Sequence, residues 1–293
     1  MKKILQIGTI GQLGWELLRT CAPLGEVIAL DYPEVDLTDN KGLRELVRTV
    51  KPDIIINAAA YTNVDKAESE PEKARAINAT GPGVLAEEAK NINALLVHYS
   101  TDYVFDGTKG SPYVETDTPN PLSVYGQTKL EGEQVIAASG CVNLVLRTSW
   151  VYSMRQGGFV TKVLQWARTQ EVMRVVDDQI SGPTSARLLA EVSALLLAKV
   201  DNSSSDWLTE HKGIYHVAGD GSCSRFEWAE KILELDPRKE EQIVKKLERA
   251  KSGDFAVPAD RPMISVLNNN KMEKTFGLRL PRWDNGLHMV MEG

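Results

Sequence analysis

Residues 2–18 read KKILQIGTIGQLGWELL, and the way they divide decides the fold. KILQIG is a short apolar run fit for a buried strand, and GWELLRTCAP has the spacing of a helix that Pro23 ends. Between them Gly8, Gly11 and Gly14 stand in the pattern G-x-x-G-x-x-G. Glycines at a strand-to-helix turn let the backbone bend sharply and approach a pyrophosphate. The helix N-terminus then supplies free N–H groups and the positive end of its dipole. A dinucleotide held there would need an acidic residue at the end of the second strand, on the ribose hydroxyls. EVIAL is that strand, and Asp31 follows it, 17 residues after Gly14. The segment DLTD, Asp36 to Asp39, is placed either to reach the adenine edge or to cap the next helix.

The same rhythm continues. NKGLRELVRTVKP reads as a helix capped by Asn40 and stopped before Pro52, and DIIINAAA as a third strand. PEKARAINATGPGVLAEEAKNI reads as a helix, ALLVHYST as a fourth strand, YGQTKLEGEQVIAAS as a helix, and VNLVLRTSW as a fifth strand. Strands alternating with helices imply right-handed crossovers and a doubly wound parallel sheet covered on both faces, an α/β fold of Rossmann type. After Trp150 the alternation loosens. FVTKVLQWART and SARLLAEVSALLLAKV read as helices, EVMRVVDDQ and GIYHVAG as strands, and DNSSSD as a polar loop. SRFEWAEKILEL opens with Ser224 and Glu227 in capping-box positions, and PRKEEQIVKKLERAKSG reads as a charged surface helix. The expected division is a sheet domain over residues 1–150, rejoined by later segments, and a smaller lobe over 151–293 closing over the sheet's C-terminal edge.

The 293 residues are 42% hydrophobic and 25% charged, with a net charge of -6. An acidic chain of this kind is not a general nucleic-acid binder, which presents a basic face. No apolar run reaches the length of a membrane span. MKKILQIG begins like a signal peptide, but its apolar run stops at Gly8 and no small-residue cleavage site follows. Cys21, Cys141 and Cys223 are far apart and form no CxxC, which fits buried thiols in a reducing cytoplasm and offers no metal cluster.

YGQTK, residues 125–129, carries the candidate chemistry. With 8 Tyr and 19 Lys in the chain, a Lys four positions after a Tyr arises by chance about half a time, so the spacing needs its context. On a helix, Tyr125 and Lys129 share a face. A phenol has an ordinary pKa near 10 and is a proton donor at neutral pH. An ammonium beside it would lower that pKa and ease proton transfer.

Four segments line up: the glycine turn, NAAAYTNVDKAE, YSTDYVFDG and YGQTKLEGE. Together they resemble the extended short-chain dehydrogenase/reductase superfamily, and within it the dTDP-4-dehydrorhamnose reductases. Ser100–Gly107, Thr148–Tyr152, Gly182–Thr184 and Arg261–Leu267 match that family's STDYVFDG, TSWVY, GxPT and RPxxSVL elements, so the resemblance runs from residue 1 to about 285. It implies reduction of the 4-keto group of a dTDP-sugar by NADPH or NADH, with Thr101, Tyr125 and Lys129 catalytic. Thr101, or else its neighbour Ser100, would hold the carbonyl oxygen and Tyr125 would give the proton. The cofactor would lie on Gly8, Gly11, Gln12, Leu13 and Gly14, then on Asp31, Asp36 and Leu37. Beyond strand three it would meet Ala59, Ala60, Tyr61 and Thr62, and finally Tyr125 and Lys129. The substrate would meet Thr101, Asp102, Tyr103, Trp150 and Arg261, with Asn78 in support. Asp31 would favour NADH by repelling a 2′-phosphate.

Some relatives in this family are associated with Mg²⁺ and glutamate-rich dimer contacts. Glu16 falls in the matching segment, whereas Arg187 occupies a helix where a glutamate is often found. The resemblance is thus compatible with a homodimer and with Mg²⁺ at Glu16. SMRQGGFVTK lacks the asparagine often found before Phe-Val. Two other outcomes stay open at this level: a reductase or epimerase of another nucleotide sugar, and a non-catalytic regulatory subunit resembling the methionine adenosyltransferase β-subunit.

Overall fold

The computed structural model describes residues 1–155, 157–199 and 209–292; the DNSSSD segment lies outside them. The first half runs β1 (Lys2–Ile7), α1 (Gln12–Cys21), β2 (Gly25–Leu30), α2 (Asn40–Val50) and β3 (Ile54–Asn57). Short helices α3 (Val64–Ala67) and α4 (Pro71–Arg75) lead through a π-helical turn, Ala76–Thr80, into α5 (Gly81–Ile92). Then come β4 (Leu95–Thr101), α6 (Val124–Ser139) and β5 (Asn143–Thr148). The second half has β6 (Val151–Tyr152), α7 (Phe159–Thr169), β7 (Val172–Val176), β8 (Ile180–Ser181), β9 (Thr184–Ser185) and α8 (Ala186–Ala198). It continues with β10 (Gly213–His216), β11 (Cys223–Ser224), α9 (Arg225–Glu234), β12 (Lys246–Ala250), α10 (Asn270–Phe276) and α11 (Trp283–Glu292).

Six strands form one sheet in the order β10-β5-β4-β3-β1-β2, every neighbouring pair parallel. The chain leaves β1 toward β2 and returns on its other side at β3. That reversal opens a crevice beyond the strand ends, where such sheets bind ligands. β3 and β4 are buried along their whole length, because helices cover both faces. Leu95, Val97 and Tyr99 pack toward α1, α8 and α10, whereas Leu96 packs toward α2, α5 and α6. A third cluster, built on Tyr152, Met173, Phe226, Trp228 and Leu287, forms beside the sheet from the second half of the chain.

Several expectations need correction. Asp39, not Asn40, caps α2: its side chain accepts from the Gly42 N–H at 3.0 Å. The strand read over DIIINAAA stops at Asn57, leaving Ala58–Ala60 as irregular chain at the crevice. Trp150 lies beyond β5 with φ +42°, a left-handed backbone that a bulky side chain rarely adopts. The charged helix expected over residues 237–253 does not form. Lys239–Glu241 make one 3₁₀ turn, and Lys246–Ala250 form β12, which pairs in parallel with β7. The spacing of Ile243, Val244 and Leu247 suits a helix, but the Ile243 and Val244 N–H groups are taken by the Ala167 carbonyl and the strand that follows completes an otherwise bare edge. The Ser224–Glu227 capping box is present as expected, and all three cysteines are free and buried. Burial pushes the Cys21 thiol up to about 11.

Candidate active site

The glycine turn forms one wall of a cavity of about 620 Å³ at the C-terminal edge of the sheet. Each glycine is there for a different reason. Gly8 has φ +86°, and a Cβ on it would come 2.5 Å from the Ala59 nitrogen. A Cβ on Gly14 would overlap the Gly8 carbonyl, so α1 can cross the turn only with glycine there. Gly11 faces open space, with nothing within 4 Å of where a Cβ would be. It is also the N-cap of α1 and supplies no side-chain cap, so the first-turn N–H groups stay available to an anion. The residues present therefore fit a dinucleotide's pyrophosphate. Gly8, Gly11, Gln12, Leu13, Asp31, Ala59, Ala60 and Thr62 all line this cavity. Asp31 does so with its carboxylate engaged: Oδ2 accepts from the Thr9 and Ile10 N–H groups at 2.5 and 2.7 Å, and Oδ1 from Tyr32 N–H at 2.8 Å.

Other expected cofactor residues do not reach the wall. Asp36 turns inward on the Thr38 N–H and hydroxyl, each at 2.8 Å, and Leu37 is buried in the core. The Tyr61 hydroxyl donates to Glu70 at 2.8 Å, so its side chain is committed elsewhere. Its backbone is held by Asn78, which accepts from the Tyr61 N–H at 2.9 Å and donates to the Tyr61 carbonyl and to Thr128, each at 3.1 Å. Asn78 sits in the π-turn, and α6 approaches its carbonyl at Gly132, where a Cβ would overlap the Asn78 oxygen.

On the opposite wall stand Thr101, Asp102, Tyr125, Lys129 and Trp150. Ser123 caps α6 by accepting from the Gly126 N–H at 3.2 Å, which places Tyr125 in the first turn. Burial raises the phenol of Tyr125, while a hydrogen bond with Thr101 works against that rise. Among the described residues the Lys129 side chain is bonded away from the phenol. Its Nζ donates to the Tyr99 carbonyl at 2.6 Å and lies 3.1 Å from His98 Nε2. Burial lowers Lys129 to about 8, against an upward pull from Glu133. Thr101 donates to Asp102 at 3.1 Å and accepts from the Tyr103 N–H at 3.2 Å. Asp102 also accepts from Ser181 at 3.3 Å and Ser265 at 2.5 Å, and burial pushes its acid up to about 6. Ser100, the alternative to Thr101, is bonded at 2.5 Å to Glu133, which also holds Arg147 in a buried bidentate pair at 2.8 and 2.6 Å.

A second cavity of about 820 Å³ adjoins this wall and is lined by Phe159, Trp166, Lys162, Arg174, Arg225 and Arg261 among others. Arg261 belongs to this cavity, not the first. It donates to Asp65 at 2.7 Å and to the Ala259 carbonyl at 2.9 Å. Tyr103 interacts with both arginines and meets Tyr125 edge-on, ring centres 5.7 Å apart. Trp150 stacks on Trp228, and the Arg225 guanidinium lies 3.8 Å over the Trp150 ring. Sequence reasoning missed Arg225, Lys162, Phe159 and Trp166, whose spacing is that of ordinary amphipathic helices. It also missed Thr148, whose buried hydroxyl on the first cavity's wall has no partner among the described residues. Glu16 is paired with Arg19 at 3.3 Å. Among the described residues no group of three or more His, Cys, Asp or Glu stands ready for a metal, so the Mg²⁺ expectation finds no support.

A parallel sheet with a glycine turn at its reversal and a Thr–Tyr–Lys set facing it defines a nicotinamide-dependent oxidoreductase of the short-chain dehydrogenase/reductase type. The family model of the RmlD substrate binding domain matches residues 1–293. The chain is 40% identical over 294 residues to the dTDP-4-dehydrorhamnose reductase of Escherichia coli strain K12, covering 98% of this chain and 96% of that one. Among solved structures it is similar to a dTDP-4-dehydrorhamnose reductase from Clostridium acetobutylicum, with TM-score 0.90 and 34% identity over 99% and 98% of the two chains. A second, from Bacillus anthracis in complex with NADP, has TM-score 0.89 and 32% identity over 99% of each. The chain belongs to the dTDP-4-dehydrorhamnose reductase family.

Proposed function

We propose that the chain reduces the 4-keto group of dTDP-4-dehydro-6-deoxy-L-mannose to give dTDP-L-rhamnose, the last step of dTDP-rhamnose synthesis. The observation that carries this reading is that the walls of the two cavities touch, with Arg225 of the second lying 3.8 Å over the Trp150 ring of the first. Thr101, Tyr125 and Lys129 face the first, and the cations Arg225 and Arg261 face the second, with aromatic rings beside them. A sugar where the walls touch would place its keto oxygen near Tyr125 and its diphosphate toward the arginines, where charge-assisted bonds are strongest. Phe159 or Trp166 would take the base.

When bound on the glycine turn, a reduced nicotinamide supplies the hydride. Tyr125 gives its proton to the sugar's oxygen as the carbon is reduced. Thr101 hydrogen-bonds Tyr125 and is oriented by Asp102, which accepts its single hydroxyl proton; Thr101 holds the sugar's oxygen when that proton turns from Asp102 to the sugar. Residues 1–150 serve mainly the cofactor and residues 151–293 mainly the sugar nucleotide, in a cytoplasmic enzyme. Asp31 stands beside the ribose position, where its carboxylate would repel a 2′-phosphate, so NADH is favoured over NADPH.

Tyr125→Phe tests the chemistry. Turnover of the keto-sugar is expected to fall about 10²–10⁴-fold with cofactor affinity within about twofold of wild type; unchanged turnover would remove Tyr125 from the mechanism. Comparing kcat/KM with NADH and NADPH tests the cofactor assignment. Asp31→Asn should shift the ratio at least tenfold toward NADPH.

A further inference from the structure

Beneath the catalytic wall, β3 and β4 run in register with Asn57 beside His98. His98 is fully buried, on the strand face that α6 covers. Its two ring nitrogens are both engaged: Nδ1 is 3.1 Å from Asn57 Nδ2, and Nε2 is 3.1 Å from Lys129 Nζ. The three residues make a chain that ends on a group facing the cavity. Sequence spacing gives no hint of it, because Asn57, His98 and Lys129 come from three separate elements.

The directions of these bonds constrain one another. Burial and the nearby Lys129 hold His98 neutral, well below its ordinary range. A neutral imidazole has one donor nitrogen and one acceptor nitrogen. Asn57 accepts from the Ala59 N–H at 3.2 Å, and a backbone N–H can only donate. The amide oxygen is therefore turned to Ala59 and the NH₂ to His98. Nδ1 must then accept, so the proton sits on Nε2 and points at Lys129. An ammonium has only donors to offer and would meet a donor. A neutral amine has a lone pair and completes the chain, while still donating to the Tyr99 carbonyl 2.6 Å away.

We propose that His98, its tautomer set by Asn57, is a positioning residue that favours the amine form of Lys129 and so sets the charge presented to Tyr125. Burial already lowers Lys129 to about 8, and a donor N–H on His98 would act in the same direction. The other charged or titratable groups around it do not add to the lowering. Glu133, one turn along α6, pulls Lys129 upward and is itself neutralised by Arg147 of β5 and bonded to Ser100 of β4. Asp102 is bonded to three hydroxyls, and the hydroxyls of Tyr99 and Tyr125 are turned to Ser193 and Thr101. On the reductase reading, on which this role rests, ammonium supports the phenolate left when Tyr125 gives up its proton, and amine keeps the phenol protonated. A Lys129 that changes charge near neutral pH serves both states.

The test reads protonation directly, so it stands apart from whether the proposed sugar is turned over. In the full-length wild-type protein, imidazole ¹⁵N shifts with His98 assigned through its backbone are expected to show the proton on Nε2; a proton on Nδ1 overturns the proposal, and no variant is needed. Asn57→Ser then releases the tautomer without changing charge. Lys129 Nζ, followed by NMR in ¹⁵N-lysine protein and identified by its loss in Lys129→Met, should titrate near 8 in wild type. In Asn57→Ser its midpoint should move up by about one pH unit, a tenfold change in the amine-to-ammonium ratio, with the alkaline limb of kcat/KM moving alongside. A Lys129 midpoint that stays put in folded Asn57→Ser also overturns it.

Discussion

Asp102 is a buried carboxylate held by hydroxyl donors, and its acid is pushed up to about 6 by that burial. Below about pH 4 it is neutral in both folded and unfolded chains. Between about 4 and 6 the folded chain keeps a proton that the unfolded one has lost, so stability falls as pH rises. Above 6 the charged form is a constant cost, up to about 3 kcal/mol for a shift of this size. Asp102→Asn should therefore be more stable than wild type by about 1–3 kcal/mol at pH 8, with the advantage shrinking toward pH 4 in urea titrations. The same variant should turn over more slowly, because Thr101 loses its orienting acceptor. Thr101, Tyr125 and Lys129 could be read from the chain because each lies within a few residues of a strand end or helix start that the pattern already marks. Arg225, Thr148 and His98 could not, since their roles arise only where distant segments meet.

Among the elements, α6 illustrates what a glycine inside a helix does. Ala at position 126 would gain about 1 kcal/mol of helix propensity. Its Cβ, however, would collide with the Tyr103 carbonyl and come 3.1 Å from Pro121 Cβ. The missing side chain lets neighbouring backbone approach and so holds the Tyr103 turn against Tyr125. Overpacking of this kind costs about 1–3 kcal/mol, so Gly126→Ala should lower the urea-derived stability by about 1–2 kcal/mol and reduce kcat. An unchanged midpoint would mean that α6 can shift. β1, β3, β4 and β5 were legible because parallel interior strands are continuous apolar runs, and β2, at the sheet's edge, because EVIAL is a short apolar run between two helical patterns. β12 was not, because a five-residue strand flanked by charges takes its identity from the β7 edge it covers. The π-turn at Ala76–Thr80 left no mark in the periodicity either, since one extra residue in a long helical stretch is within the ordinary scatter of the pattern.

For the molecule as a whole, the sheet supplies a rigid edge and the later segments supply a second core beside it. The strand–helix rhythm loosens after Trp150, where the segments that build the second core begin. The return of β10 to the sheet and the position of the second cavity depended on contacts between residues far apart in the chain. Arg225 of the second cavity's wall lies over Trp150 of the first's, yet the glycine turn and the arginines line separate cavities. Steady-state inhibition should reflect this separation. Thymidine diphosphate should compete with the sugar nucleotide, raising its KM alone, and should lower the maximal rate against varied NADH without displacing it. Adenosine diphosphate ribose should show the reverse pattern. Given together, the two should block the enzyme as independent ligands, their effects multiplying because neither occupies the other's space.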